Sequence, residues 1–284
     1  MSADADIIAS MDLGATLRAH GRGQIVWPLI NNYFNTGRTP SMAAVADRLS
    51  RLGAHPLDLV AGDGWFHAST HPLQSESALY HYLVEPENLV AEHIDMPKRL
   101  SFDVGSMTHA YIQTAMDEIG ILPAVLQKCT TCQPERHCDE PGVMDEEIGM
   151  RGHLDGILAL PGREYGGDLF DLKTTGERGS MSMKRLLDLD LEAFKEQYPG
   201  YYAQMQCYLK MSGREQMILC MIMLGMPWVV REFHIPHDRR YTHRLWAKLA
   251  RVREAVAHRR PPVCGCPEKT RARCAAHKLC LGAA

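Results

Sequence analysis

The sequence predicts an α/β protein: a mixed central β-sheet flanked by helices, with an N-terminal helical lobe and a C-terminal cysteine-rich, metal-bound tail. Three observations carry that prediction. Between Gly149 and Thr175 two apolar-alternating runs flank Pro161-Gly162-Arg163-Glu164-Tyr165-Gly166-Gly167, the pattern of a β-hairpin. A continuous apolar run over 216–226, bounded by Gly213 and Pro227, has the length of a buried strand. Segments with helical signals lie before and between these runs. Residues 1–74 form an N-terminal helical region, 75–260 the core with a cysteine-containing insertion at 127–140, and 261–284 the tail.

Taken in order, residues 4–20 read as a weak amphipathic helix, with Ile7, Ile8, Met11 and Leu17 on one side. Ser41, after Pro40, caps a helix over 42–52 that Gly53 closes. Residues 75–84 suggest a helix ended near Pro86. The next helix spans 102–119, with Met107, Ala110, Ile112 and Met116 available for packing. After the hairpin, 186–195 is read as helical. Pro199-Gly200 breaks the chain, and 201–211 forms a helix on which Gln204 and Tyr208 share a face. Strands follow over 216–226 and 228–235, with Cys207 and Cys220 as small core hydrophobes. A long basic helix over 238–260 offers either a phosphate-tracking surface or a solvated outer face.

At 284 residues and 45% hydrophobic, the chain is long enough for a substantial core. A net charge of −3 excludes a uniformly basic nucleic-acid binder, so any DNA affinity must come from local patches. No apolar run approaches the ~18 residues of a membrane span. The first residues lack the basic-then-apolar build of a signal peptide. Cytoplasmic residence is the expectation, and nine cysteines there point to metal ligands more than to disulfides.

The chemistry centres on the hairpin. Asp171 and Lys173 are two residues apart on a strand, so both side chains leave one face. A neighbouring strand carries Asp155 alongside. Two carboxylates and a lysine at a sheet edge suit a divalent cation with a positioned water. An isolated Asp-Leu-Lys triplet is common, however, and ordinarily marks a solvated strand face.

The surrounding residues decide. Gly152-His153-Leu154-Asp155-Gly156 followed by Asp171-Leu172-Lys173-Thr174 resembles the core motif of the PD-(D/E)XK nucleases, in particular their RecB-like branch. Gly105-Ser-Met-Thr-His109 resembles that branch's Gly-x-x-x-His helix, and Gln204-Met-Gln-Cys-Tyr208 its Gln-x-x-x-Tyr motif. The resemblance runs from about Ser75 to the C-terminus and implies a restriction-endonuclease-like core. It implies that His109 is a metal ligand, and that Gln204 and Tyr208 contact the metal site and the DNA. On this reading His109, Asp155, Asp171 and the carbonyl of Leu172 hold Mg²⁺ or Mn²⁺, and Lys173 positions the attacking water or stabilises developing charge.

Two cysteine groups complete the sequence. Cys129, Cys132 and Cys138 make a candidate metal knuckle whose fourth ligand is His137 or a remote cysteine. Cys264, Cys266, Cys274 and Cys280 crowd a tail too short to bury much apolar surface, so a metal would supply its order. CRISPR-associated and helicase-linked relatives of this branch end in a cysteine cluster that binds iron and sulfur. That similarity implies a [4Fe-4S] cluster here, with Zn²⁺ the alternative. The upstream cysteine of such relatives is replaced by Glu85.

The expected function is metal-dependent DNA exonuclease activity of phage or bacterial type, in recombination, repair or phage replication. Its partners would be DNA and a helicase, recombinase or single-strand annealing protein. Two other classes remain open at this point: a metal-stapled DNA-binding or adaptor module, and a nuclease subunit active only with its partner.

Overall fold

The computed structural model describes residues 24–52, 63–89, 94–123, 140–160, 167–176, 186–224, 228–265, 274 and 276–282. The helix expected over 4–20, the cysteine knuckle (Cys129, Cys132, Cys138 and His137), Cys266 and most of the hairpin turn lie outside the described residues.

In chain order the elements are α1 (Val26–Asn35), α2 (Met42–Leu52), β1 (Phe66–His67), α3 (Glu76–Val84), α4 (Met96–Glu118), β2 (Gly142–Asp145), β3 (Met150–His153), β4 (Gly156–Leu158), β5 (Asp168–Gly176), α5 (Leu191–Gln197), α6 (Pro199–Ser212), β6 (Gln216–Leu224), β7 (Val229–Pro236), α7 (Arg239–Ala257) and α8 (His277–Gly282). The protein is α/β, with two mixed sheets flanked by helices.

The central sheet has the order β4-β5-β6-β7. β4 pairs antiparallel with β5 as the hairpin pattern required, β5 pairs parallel with β6, and β6 pairs antiparallel with β7. The parallel pair needs a crossover, and α5 and α6 lie on that connection. The apolar run on β6 has a direct cause. Met217, Leu219, Met221 and Met223 join the core cluster shared with α6 and α7. Ile218, Cys220 and Ile222 join a second cluster with α1 and α4. A strand covered on both faces is apolar at every position rather than every second one.

A second sheet, β1-β3-β2, was not read from the sequence. β3 pairs parallel with the two-residue β1 and antiparallel with β2. Phe66–His67, assigned from sequence to the N-terminal region, is therefore a strand against the core. What looked like the first arm of a long hairpin is split at Leu154-Asp155: β3 belongs to this sheet and β4 to the central one.

Several helix boundaries move for capping reasons. α4 begins at Met96, before the expected Phe102, because Asp95 accepts a hydrogen bond from Lys98 N at 2.9 Å and Pro97 occupies the first turn. α5 begins at Leu191, after a break at 188–190 that divides the expected helix and leaves Leu186 and Leu187 helical before it, and Asp190 caps it by accepting from Ala193 N at 2.8 Å. α6 takes in Pro199, read as a breaker, because a proline in the first turn lacks only an N–H that would have no intrahelical partner. Ser75 caps α3, accepting from Ala78 N at 3.2 Å. The N-terminus of α1 is served from far away: the buried Glu232 of β7 accepts from Ile25 N at 2.8 Å and from Trp27 N. On α4, Ala110, Ile112 and Met116 are buried as expected, but Met107 is exposed.

The basic helix α7 turns out to be a clamp. Lys248 Nζ donates to the carbonyls of Pro72 (2.6 Å) and Gln74 (2.9 Å), and Arg251 pairs with Glu76. Arg253 donates to the carbonyls of Ile148, Gly64 and Gly149. Among the described residues no helix is long and apolar enough to cross a membrane.

Candidate active site

The site forms where the chain leaves one sheet for the other. The register Gly156↔Phe170 extends by one residue to set Asp155 opposite Asp171, and the two-residue repeat of β5 brings Lys173 to the same face. Lys173 Nζ lies 2.5 Å from Asp171 Oδ2. That contact is close but poorly directed, for Oδ2 has no well-formed hydrogen bond and is buried.

Helix α4 supplies the imidazole. A Cβ on Gly105 would sit 3.1 Å from Thr174 Oγ1, so glycine lets the helix lie close against β5. One turn later His109 Nδ1 is 3.2 Å from Asp155 Oδ1, and a further turn on, Gln113 Nε2 donates to the Asp155 carbonyl at 2.7 Å. Sequence reasoning missed Gln113. Its signal was the i, i+4 spacing from His109. The second oxygen of Asp155 accepts from Leu172 N at 2.5 Å.

Asp155 is 8% exposed and Asp171 1%, and their electrostatics diverge. Burial alone would raise the Asp155 carboxyl. His109, Lys173 and the Leu172 N–H outweigh it and hold that carboxyl below its ordinary value. Asp171 is pushed up to about 6 by burial and by the charge of Asp155, against the pull of Lys173. Burial would also drive Lys173 toward the neutral amine, but Asp171 and Asp155 outweigh it and keep the ammonium protonated.

Gln204 and Tyr208 of α6 are both buried, and Gln204 Nε2 donates to Tyr208 Oη at 2.7 Å. Tyr208 packs on β3, where a Cβ on Gly152 would fall 2.6 Å from its Cε1. Burial, reinforced by the Asp171 and Asp155 charges, keeps the phenol protonated. Beside the site a groove of about 730 Å³ is lined by Leu100, Val104, Thr174, Thr175, Tyr198 and Leu224.

Two carboxylates, one of them with an ill-satisfied oxygen, and an imidazole fit a hard divalent cation. Among the described residues no three His, Cys, Asp or Glu side chains are gathered tightly enough to hold one as they stand. The reason is visible in the contacts: Asp155 is occupied by His109 and Leu172 N–H, and Asp171 by Lys173. Binding would exchange some of these contacts for the cation. Of the tail cysteines, Cys264 and Cys274 are partly exposed, and Cys280 lies on α8.

Fold and site thus define the class: a mixed α/β protein with two buried carboxylates joined by a half-buried lysine and imidazole where the chain passes between two sheets. No family model matches the chain, and no curated protein does. Among solved structures, the protein designated SSO0001 is similar over 84% of this chain and 95% of its own, at 14% identity and a TM-score of 0.43. An alkaline exonuclease from Laribacter hongkongensis (LHK-Exo) is similar over 77% of this chain and 94% of its own, at 15% identity and a TM-score of 0.37. Likenesses of that size carry no argument about activity, which rests on the site itself.

Proposed function

We propose that this chain is a divalent-metal-dependent deoxyribonuclease that hydrolyses phosphodiester bonds from DNA ends. The observation that carries the reading is the convergence of the half-buried Lys173 and His109 on the buried Asp155 and Asp171. The order of motifs along the chain, which resembles that of RecB-like nucleases, supports it. Asp155, Asp171, His109 and the Leu172 carbonyl would hold Mg²⁺ or Mn²⁺, which when bound polarises the phosphate and acidifies a water.

The remaining work belongs to the chain. Lys173, held protonated by its carboxylate neighbours, is a poor general base. It would orient the attacking water and neutralise charge that grows on the phosphoryl oxygens. Gln204 and Tyr208 would brace the wall against which the strand is aligned, where displacement by ~1 Å is costly. The groove beside Thr174 and Thr175 would take the strand as it leaves the site. In this reading the tail cysteines Cys264, Cys266, Cys274 and Cys280 hold a [4Fe-4S] cluster or Zn²⁺, and Cys129, Cys132 and Cys138 a further metal. A role in recombination, repair or phage replication follows, beside a helicase, recombinase or annealing partner.

The test is digestion of end-labelled linear and closed circular DNA, single- and double-stranded, with Mn²⁺. Cleavage confined to linear DNA and reduced by about 10³-fold or more in Lys173→Ala is the expected result. Cutting of circles would make the enzyme an endonuclease. No cleavage of any substrate by folded, metal-replete protein would leave a DNA-binding module or a partner-dependent subunit.

A further inference from the structure

Three residues at four-residue spacing form a row along α4 where the chain passes between the two sheets. Gly105 lies against Thr174 of β5, His109 reaches the Asp155 carboxylate, and Gln113 reaches the Asp155 main chain. Gln113 is 1% exposed, and its Nε2 donates to the Asp155 carbonyl at 2.7 Å. A carbonyl only accepts, so the amide nitrogen must face it and the amide oxygen must point elsewhere. That oxygen, Oε1, is buried with no hydrogen-bond partner among the described residues. A buried amide oxygen left unpaired is costly. The buried neighbours Ile112 and Met116 on the same helix are apolar, and an unbranched apolar side chain would fill the position of Gln113 without that cost. Packing therefore does not account for a glutamine here, and its one hydrogen bond does.

That bond falls at the residue where β3 gives way to β4. Asp155 is held at three points: Oδ1 by His109 at 3.2 Å, Oδ2 by Leu172 N at 2.5 Å, and the carbonyl by Gln113. Where the His109 contact is given up to a cation, two holds remain. The Leu172 N–H alone leaves the carboxylate free to turn about that bond, whereas the amide fixes the backbone from which the carboxylate projects. The same amide sits on the helix that carries His109, one turn further on, so it also ties that helix to Asp155.

We propose that Gln113 is a positioning residue: it sets the separation of His109 from Asp155 by pinning the helix that carries one to the main chain that carries the other. The inference rests on the nuclease reading and adds to it a residue that acts through Asp155. Groups that orient ligands from behind are worth about 10–100-fold in metal affinity or activity.

Mn²⁺ affinity by calorimetry, steady-state DNA cleavage and urea unfolding are measured for wild type, Gln113→Met and Gln113→Asn. Methionine keeps the volume and loses the donor, while asparagine keeps the amide one methylene short of the carbonyl. Both should remain folded, bind Mn²⁺ about 10–100-fold more weakly and lower kcat, with KM for DNA unchanged. Thr114→Val is the control, because Thr114 is also buried on α4 but its hydroxyl donates to Ala110 of its own helix. It should bind Mn²⁺ and cleave as wild type does. Wild-type Mn²⁺ affinity in both Gln113 variants would overturn the positioning role and leave the nuclease reading standing. An equal loss in Thr114→Val, or unfolding of both Gln113 variants, would make Gln113 a structural residue of the helix and overturn the role as well. Wild type that neither binds Mn²⁺ nor cleaves would overturn the nuclease reading, and this inference with it.

Discussion

His71 shows what one buried residue contributes. It is 2% exposed, accepts from His67 N at 2.7 Å through Nδ1, and packs its ring 4.1 Å from that of Tyr82. Burial, with help from the neighbouring His67, pushes its pKa down to about 3, far below the unfolded value near 6.5. A depressed folded value contributes stability that is whole above the unfolded pKa and lost as pH falls toward the folded one. At pH 5 the loss should be about 2 kcal/mol. Urea unfolding at pH 7 and pH 5 should show that drop in wild type and a shallower one in His71→Asn, whose amide oxygen still accepts from His67 N. An unchanged drop would remove His71 as its source. Nothing in the sequence marked His71, since burial of a lone histidine is a tertiary fact. Strand periodicity places Asp171 and Lys173 on one face, but it was the resemblance of the surrounding residues to a family motif that singled them out together with Asp155. His109 was legible only through its resemblance to a family motif. The physical reason for that motif emerges in three dimensions, as Gly105 admits β5 and His109 reaches Asp155 one turn later.

Among the elements, helices and long strands were readable because caps and continuous apolar runs are local signals. The second sheet was not. Its strands are two to four residues long, too short for a period to register, and a strand as short as β1 is stabilised by its neighbours and not by its own sequence. That sheet nevertheless positions the site, because β3 ends one residue short of Leu154-Asp155 and presents Gly152 to Tyr208. A side chain at Gly152 has no room: its Cβ would stand 2.6 Å from Tyr208 Cε1 and 3.1 Å from Ala68 Cβ. Gly152→Ala should cost about 1–3 kcal/mol in urea unfolding, with reduced cleavage as Tyr208 is displaced. Wild-type stability together with wild-type cleavage would show that this approach is not tight.

At the scale of the whole molecule, α7 ties the parts together. Its arginines offered either a surface for phosphates or a solvated outer face, and Arg253 is neither, being spent on protein. It bridges three carbonyls and stacks its guanidinium 4.7 Å from the ring centroid of Phe66 in β1. Arg253→Ala should lower stability by about 2–3 kcal/mol, and Arg253→Lys should recover only part, lacking the planar fork. A change below about 0.5 kcal/mol, the scale of an ordinary surface substitution, would mean the clamp is idle. Sequence shows only the sign of such charges. Whether they meet DNA or a neighbouring carbonyl depends on the packing of elements distant in the chain.

Mn²⁺ binding by calorimetry, paired with cleavage, in wild type, Asp171→Asn and Lys173→Ala tests the proposed metal site and its lysine together. Asp171→Asn should lose at least about tenfold in Mn²⁺ affinity, on the scale of ~1.4 kcal/mol per decade, and lose cleavage with it. Lys173→Ala should still bind Mn²⁺ and fail to cleave, which would separate the carboxylates proposed to hold the cation from the lysine proposed to serve the reacting phosphate. Asp171→Asn that binds Mn²⁺ and cleaves DNA as wild type does would exclude a metal-dependent nuclease site at Asp155, Asp171 and Lys173.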